Sequence, residues 1–306
     1  MSFSDNIKIE AKRLGFDACG ISKATSTDQD LSFHKWLEKN YHASMYYMER
    51  NIDKRMDPAV LVEGAKSIIS VALNYYPPQL QSPDVPQFAY YAYGKDYHYV
   101  VKDKLYALYN FIKDAHPNAS GRCFTDSAPV MERYWAAKAG IGFIGKNSLL
   151  IIPKLGSFFF LGEIVIDIEL DYDTSINNNC GSCTRCIDAC PNTAIVEPYV
   201  IDSNRCISYQ TIENRGDIPD SSVLKLNNCV FGCDICQKVC PWNANAKPNT
   251  TPDFFPSDNF LSLDKDRLIN LSEPEFKSIF KDSAVQRTKY NGLKRNILAV
   301  SEIRNK

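Results

Sequence analysis

The sequence predicts an α+β/α/β fold followed by a cysteine-rich region and a short helical end. Two observations carry this expectation. Segments of helical period alternate with apolar, strand-like runs from residue 4 to residue 167. Between Cys180 and Pro241, two cysteine runs each close on a proline. The expected parts are residues 1–172, 173–245 and 246–306.

In chain order, residues 4–15 place Ile7, Ala11 and Leu14 on one helical face, with Ser4 as a cap and Gly15 as the stop. A strand follows at 16–21. Leu31, Trp36 and Leu37 predict a second helix to about Tyr41, and residues 54–58 a turn before a short helix ending at Gly64. Residues 67–75 are β-rich and apolar, as a buried strand requires. After the proline-bearing loop 77–86 comes the aromatic segment 88–98, which suits either a core or a planar ligand. Residues 96–114 form a helix with Val101, Leu105, Leu108 and Ile112 inward. A strand at 121–125 then delivers Asp126, and a helix at 130–139 stops at Gly140. The glycine-bearing loop 142–148 serves equally as a ligand cradle or a tight turn. Strands at 148–152 and 157–167 finish the first part, and 171–179 is a polar linker. Residues 244–258 read as loop and 262–305 as helices with short breaks.

A hydrophobic content of 44% supports a proper core, and a net charge of -1 leaves any polyanion to be met by a local basic patch. Eleven cysteines would suggest disulfides in a small secreted domain, but 306 residues are not small. Residues 1–30 show no charged-then-apolar leader, so a reducing cytoplasm is expected. The most apolar stretch, 149–170, is interrupted by Pro153, Lys154, Glu163 and Asp167, so no membrane partner is expected.

The first cysteine run, Cys180-x2-Cys183-x2-Cys186-x3-Cys190-Pro191, has the spacing by which bacterial-type ferredoxins hold one cubane and lend the fourth thiolate to its neighbour. The second, Cys233-x2-Cys236-x3-Cys240-Pro241, has one cysteine fewer, and Cys206 can supply it. Eight thiolates then serve two [4Fe–4S] clusters. Cys180, Cys183, Cys186 and Cys240 hold one, and Cys190, Cys206, Cys233 and Cys236 the other. Zinc is the competitor, but zinc sites pair CxxC units rather than extend one into a triple run ending in Cys-Pro. Cys229 fits neither run and reads as a structural or adventitious thiol.

Clusters pass single electrons but bind no organic substrate, and residues 1–179 exceed what a carrier needs. An enzyme reducing its substrate through a second cofactor is therefore expected. The GxGxxG turn is missing after the first strand, and no GxxxxGK[ST] motif occurs. A corrinoid held by a protein imidazole would show Asp-x-His-x-x-Gly. Asp96-Tyr-His98 and Asp114-Ala-His116 both begin that pattern without its glycine, so a corrinoid here is expected to lack a histidine ligand.

The run Tyr91-Ala-Tyr-Gly-Lys-Asp-Tyr-His98, Asp126-Ser-Ala-Pro-Val-Met-Glu-Arg133 and Gly140-Ile-Gly-Phe-Ile-Gly-Lys-Asn-Ser148 precede the cysteine runs, with Cys206-Ile-Ser-Tyr-Gln-Thr-Ile-Glu213 and Cys233-Asp-Ile-Cys-Gln-Lys-Val-Cys-Pro-Trp242 among them. In this order the chain resembles the epoxyqueuosine reductases. The resemblance implies a nitroreductase-like, cobalamin- and substrate-binding domain, a ferredoxin-like domain with two [4Fe–4S] clusters, and base-off cobalamin. It implies reduction of epoxyqueuosine to queuosine at the wobble position of tRNA, with a low-potential donor such as flavodoxin or ferredoxin, in a monomer. It makes Asp126 the proton donor, a role that a carboxyl with a raised pKa in a water-poor pocket can fill; an N-cap is the other reading of the same position. It points to Arg55, Tyr97, Asn147, Ser157 and Glu213 as cobalamin contacts. Lys146, Arg185, Arg205 and Arg215 are available either to phosphates or to solvent. Family members often continue into a helical-repeat tail, whose start this chain reaches at 290–296, so tRNA affinity rather than chemistry would feel its loss. The rival readings are a corrinoid reductase of another substrate, dehalogenase-like, and a non-enzymatic electron-transfer protein.

Overall fold

The computed structural model describes residues 2–27, 30–220 and 224–304. Met1, Asn305 and Lys306, which bound the expected parts, lie outside the described residues. The strands, in chain order, are β1 (Ala18–Lys23), β2 (Ser67–Asn74), β3 (Gln87–Phe88), β4 (Gly121–Phe124), β5 (Phe143–Ile144), β6 (Leu150–Ile151), β7 (Phe159–Ile166), β8 (Ile195–Glu197), β9 (Val200–Ile201) and β10 (Cys229–Phe231). The main sheet has the order β1-β2-β7-β4, and every pair in it is antiparallel. Of the two classes the sequence left open, α+β is the one formed. Apolar runs such as β2 suggest a parallel sheet because they are buried on both faces, but here helices cover both faces of an antiparallel one.

Strand β7 shows how the layers are set. Phe160, Ile164 and Ile166 join the cluster that holds Leu105, Leu108 and Ile112 of the helix Tyr97–Ala115, whereas Val165 packs with Trp135 of the helix Glu132–Lys138. Alternate residues of a strand face opposite sides, so one strand feeds both layers. Two glycines permit the close approach. A Cβ on Gly162 would lie 2.8 Å from Leu105 Cδ1, and one on Gly20 would lie 2.1 Å from the Ala139 carbonyl oxygen. The long helix begins on Asp96, whose carboxylate accepts the His98 N–H, and its four expected inward residues are fully buried.

Several local expectations shift. The first helix runs Phe3–Arg13, and its cap is Ser2 in a capping box with Asp5; Ser4 is buried and its hydroxyl accepts the Asp171 N–H. Residues 142–148 are no open cradle. They carry β5 and the turn of a hairpin with β6. The expected loop 244–258 contains the short helical turn Pro252–Phe254 and leads into the helix Asp258–Leu261. In the aromatic segment Phe88, Tyr90 and Tyr93 are core residues, and Tyr97 and His98 at its end are half-buried.

The cysteine region is joined to the rest by its backbone. β10 pairs with β3 in parallel, and the helix Lys289–Arg304 lies against β10 and the helix Ile207–Ile212. Asn296 on that last helix is fully buried, and its Nδ2 donates to the Thr211 and Val230 carbonyls at 2.8 and 2.9 Å. Asn296→Ala leaves both carbonyls without a donor. It should lower stability by about 2–4 kcal/mol in a denaturant titration, and a change near zero would show that the amide is not the fastener.

Candidate active site and cluster pockets

β4 ends at Phe124, and two residues later the chain turns through Asp126 in the left-handed region, with φ of 54°. Aspartate tolerates that region better than most residues. The turn is held from behind by the Asp126 N–H donating to Glu132 Oε1 at the start of the next helix. The Asp126 side chain is 59% exposed yet faces groups from several elements. Its Oδ2 accepts the Tyr97 hydroxyl at 2.7 Å and lies 3.2 Å from His98 Nε2. Tyr97 stacks flat on Phe160 at 4.3 Å and on His98 at 4.2 Å, which fixes its hydroxyl. His98 Nδ1 lies 2.7 Å from Asp96 Oδ1.

The electrostatics differ from the expectation of a raised carboxyl at Asp126. Burial pushes its pKa up, but the bonds from His98 and Tyr97 and the charges of His98 and Arg287 outweigh that, and the net is a lowered value. Burial works against the His98 imidazolium, yet its bonds to Asp126 and Asp96 prevail and lift it to about 9. At neutral pH the proton therefore sits on His98 between two carboxylates. Neither ring nitrogen is left free to ligate a metal, in keeping with the absence of the Asp-x-His-x-x-Gly motif. Beneath the turn lies a second acidic pair. Glu163 in β7 has no exposure and no partner for either oxygen among the described residues, and burial raises both it and Glu132, which it faces.

Other predicted residues lie within electrostatic range of the same carboxylate. Glu213 takes both arms of Arg287, each at 2.9 Å. Tyr47 is pushed to about 12 by burial and then by the charge of Glu213, with Arg287, Asp126 and Arg55 also within its reach. Arg55 is lowered by burial, and its Nε has no partner among the described residues. The other two expected contacts sit elsewhere. Asn147 lines the pocket of the first cysteine set, with its Nδ2 unpartnered. Ser157 is 5% exposed, and its hydroxyl accepts the amides of Asn243 and Gln237 at 2.9 and 3.2 Å, which ties it into the joint between sheet and cysteine region.

Cys180, Cys183, Cys186 and Cys240 line one pocket with Asn147, Arg185 and Trp242. Burial, then Cys180, raises Cys186; burial also raises Cys240, with Cys180 and Cys183 adding to it. The remaining four neighbour one another more deeply. Burial lifts Cys206 to about 11, and Cys233 and Cys190 add to it. Cys236 is raised by burial and by Cys233 and Cys206. Mutual repulsion of thiolates on this scale is what bound iron would reverse. The first foursome thus shares one pocket and members of the second influence one another's charge, but no three of these thiols are gathered at metal-binding distances among the described residues, so the division into two ligand sets rests on spacing. Cys229 is placed beside Cys233, whose thiol it raises, so it is a neighbour of the deep set rather than a stray. Lys146 donates to the Gly181 and Cys183 carbonyls, Arg205 lies 3.3 Å from Asp202, and Arg215 donates to the Arg287 carbonyl.

The sequence reading missed His98, Tyr47, Arg287, Glu132 and Glu163 as site residues. Glu163 had a signal, one acid inside the apolar run of β7. Arg287 had none, because its partner lies 74 positions away. The raised pKa of His98 fixes a sign for stability. Its contribution is complete below the unfolded value of 6.5 and is lost as pH rises through about 9. His98→Gln should therefore be less stable than the parent at pH 6, with the gap closing by pH 9.5; a denaturant midpoint difference that ignores pH would contradict the pairing.

Comparison with known proteins gives matching families over two segments. The family described as "Epoxyqueuosine reductase QueG, DUF1730" matches residues 55–127, and the "4Fe-4S double cluster binding domain" matches residues 179–243. The epoxyqueuosine reductase of Cellulophaga algicola is 50% identical over 295 residues, 96% of each chain. The crystal structure of an epoxyqueuosine reductase with an epoxyqueuosine-modified tRNA-Tyr stem loop is similar at a TM-score of 0.87 and 32% identity, over 97% of this chain and 80% of that one. The Bacillus subtilis epoxyqueuosine reductase, solved with its catalytic aspartate loop swung out of the active site, matches with the same score, identity and coverage. With half its residues identical to a relative across nearly the whole length, this chain belongs to the epoxyqueuosine reductase family of oxidoreductases.

Proposed function

We propose that this chain reduces epoxyqueuosine to queuosine at the wobble position of tRNA, using base-off cobalamin and two [4Fe–4S] clusters, with Asp126 as the group that protonates the leaving oxygen. The single observation that carries the reading is the Asp126–His98–Asp96 array just past the end of β4, in a chain whose relatives are named for this reaction. A relative bound to a modified tRNA stem loop supports tRNA as the substrate, and tRNA supports the cytoplasm as the place. No helix among the described residues is long and apolar enough to cross a membrane.

The residues fit the cofactors. The two foursomes of cysteine supply eight thiolates, and the clusters would pass single electrons. Around Asp126, Arg55 offers a buried donor without a partner, Tyr47 offers an exposed ring, and Glu213 is held by Arg287. Cobalamin, when bound, supplies a strongly reducing cobalt centre. Asn147 and Ser157 stay assigned to it on resemblance alone, and their surroundings suit a supporting role better.

Asp126 is ionised in the open site and needs a proton before it can give one. His98 holds that proton 3.2 Å away, with Asp96 behind it fixing the ring. Burial is already the largest influence on Asp126 and acts upward. A ligand seated over the exposed Asp126 carboxylate would exclude water and strengthen that effect, which favours transfer from His98 to the carboxyl. Protonation turns an alkoxide or hydroxide into a competent leaving group. The donor to the clusters is a low-potential carrier such as flavodoxin or ferredoxin, and the enzyme works as a monomer.

The experiment is anaerobic turnover of tRNA carrying epoxyqueuosine by cluster-reconstituted protein, with and without cobalamin, reading the nucleosides by mass spectrometry. Queuosine should form only with cobalamin. Asp126→Asn should lose at least about a hundredfold in rate, and His98→Gln should move the alkaline limb of the pH profile below its parent position near 9. Full turnover by Asp126→Asn with all cofactors bound would remove the aspartate from the chemistry.

A further inference from the structure

We propose that the open groove beside the first cysteine set is the docking site of an acidic one-electron carrier protein. The inference rests on the cysteines being cluster ligands, as assigned above. The groove has a volume of about 630 Å³, and Arg185, Asp188, Lys238, Cys240, Pro241 and Ala244 are among the residues that line it. Arg185, Cys240 and Pro241 also line the pocket shared by Cys180, Cys183 and Cys186. The groove and the cluster pocket therefore share part of their lining. Cys206 and Cys236 of the second foursome are instead raised mainly by burial.

Charge names the kind of partner. Arg185 and Lys238 line the groove with Asp188, which accepts the Thr184 hydroxyl at 2.7 Å, and Lys238 also lies within electrostatic range of the buried Asp234. Lys238 rests over the Tyr90 ring at 4.4 Å, and no hydrogen bond or ion pair of the Arg185 guanidinium is formed among the described residues. In a chain of net charge -1 the groove lining thus carries more cations than carboxylates. Electron-transfer encounters bury little surface, so charge rather than area guides them. The volume suits a protruding loop or cofactor edge of the carrier. Each encounter oxidises the carrier by one electron and reduces one cluster by one, with no bond made or broken.

The test compares the cluster- and cobalamin-loaded enzyme driven by reduced flavodoxin with the same enzyme driven by dithionite, which needs no dock. The readout is the ratio of the two rates for each variant, with iron content confirmed. Arg185→Glu should raise the KM for flavodoxin about tenfold at low salt, with the effect fading as salt rises. Asp188→Asn should lower that KM. Ala244→Trp, which obstructs by size, should depress the flavodoxin rate at every salt concentration. An unchanged ratio in all three variants overturns the dock alone. A raised KM for tRNA in dithionite-driven Arg185→Glu would make the groove a nucleic-acid face and overturn it likewise. Failure of the unaltered enzyme with both reductants overturns the assigned reaction together with the dock.

Discussion

The bond between the His98 imidazolium and the Asp126 carboxylate is the constraint on which the rest of the site depends. It requires a helix that starts on Asp96, so that His98 emerges in the first turn beside Tyr97. It also requires a strand that ends in a left-handed turn, so that Asp126 meets both. The sheet brings these two ends together. β4 and the helix Tyr97–Ala115 meet on β7, where Gly162 lets the helix lie close. A side chain at Gly162 would push away the helix that carries His98, and the pair with it. Behind the turn, Glu132 holds the backbone of Asp126, and burial and then the charge of Asp126 raise its pKa. A carboxyl kept out of water is costly, and here it braces the one residue whose position matters most.

The second organising feature is the joint between sheet and cysteines. Ser157 N–H donates to Asn243 Oδ1 at 2.7 Å, and Gln237 reaches the Ser157 carbonyl at 3.0 Å. Gln237 and Asn243 flank Cys240, so the end of the second cysteine run is bonded directly to the start of β7. Buried, fully partnered amides of this kind fix distance and orientation rather than supply much net stability. For electron transfer, fixed distance is the property required. The same joint explains why Ser157 and Asn147 sit with the cysteines while Arg55, Tyr97 and Glu213 sit with Asp126.

Much of this was legible in the sequence, and the reasons are local. The double-cluster region was legible from spacing because seven of its eight expected ligands lie in two short runs, and only Cys206 had to be found outside them. The long helix followed from its apolar period, and Asp126 from its place after a strand. What could not be read depended on chain segments meeting. The direction of the strands is invisible to an apolar run, so the antiparallel sheet was open until seen. The proton on His98 depends on two carboxylates, of which Asp126 is 28 positions away, and this inverted the expected ionisation of Asp126. Arg287 and Tyr47 come within electrostatic range of Asp126 from opposite ends of the chain. Ser157 illustrates the converse: its polar partners lie 80 and 86 positions away, in the cysteine region.

The measurement that bears most directly on the central claim is anaerobic binding of cob(II)alamin to the cluster-reconstituted protein, followed by electron paramagnetic resonance. One corrinoid per chain is expected, with no splitting from a protein nitrogen, because both nitrogens of His98 are committed to carboxylates. Arg55→Ala should weaken that binding while iron content stays the same. A protein that holds its iron but takes up no corrinoid, or a signal split by an imidazole nitrogen, would contradict the site as described.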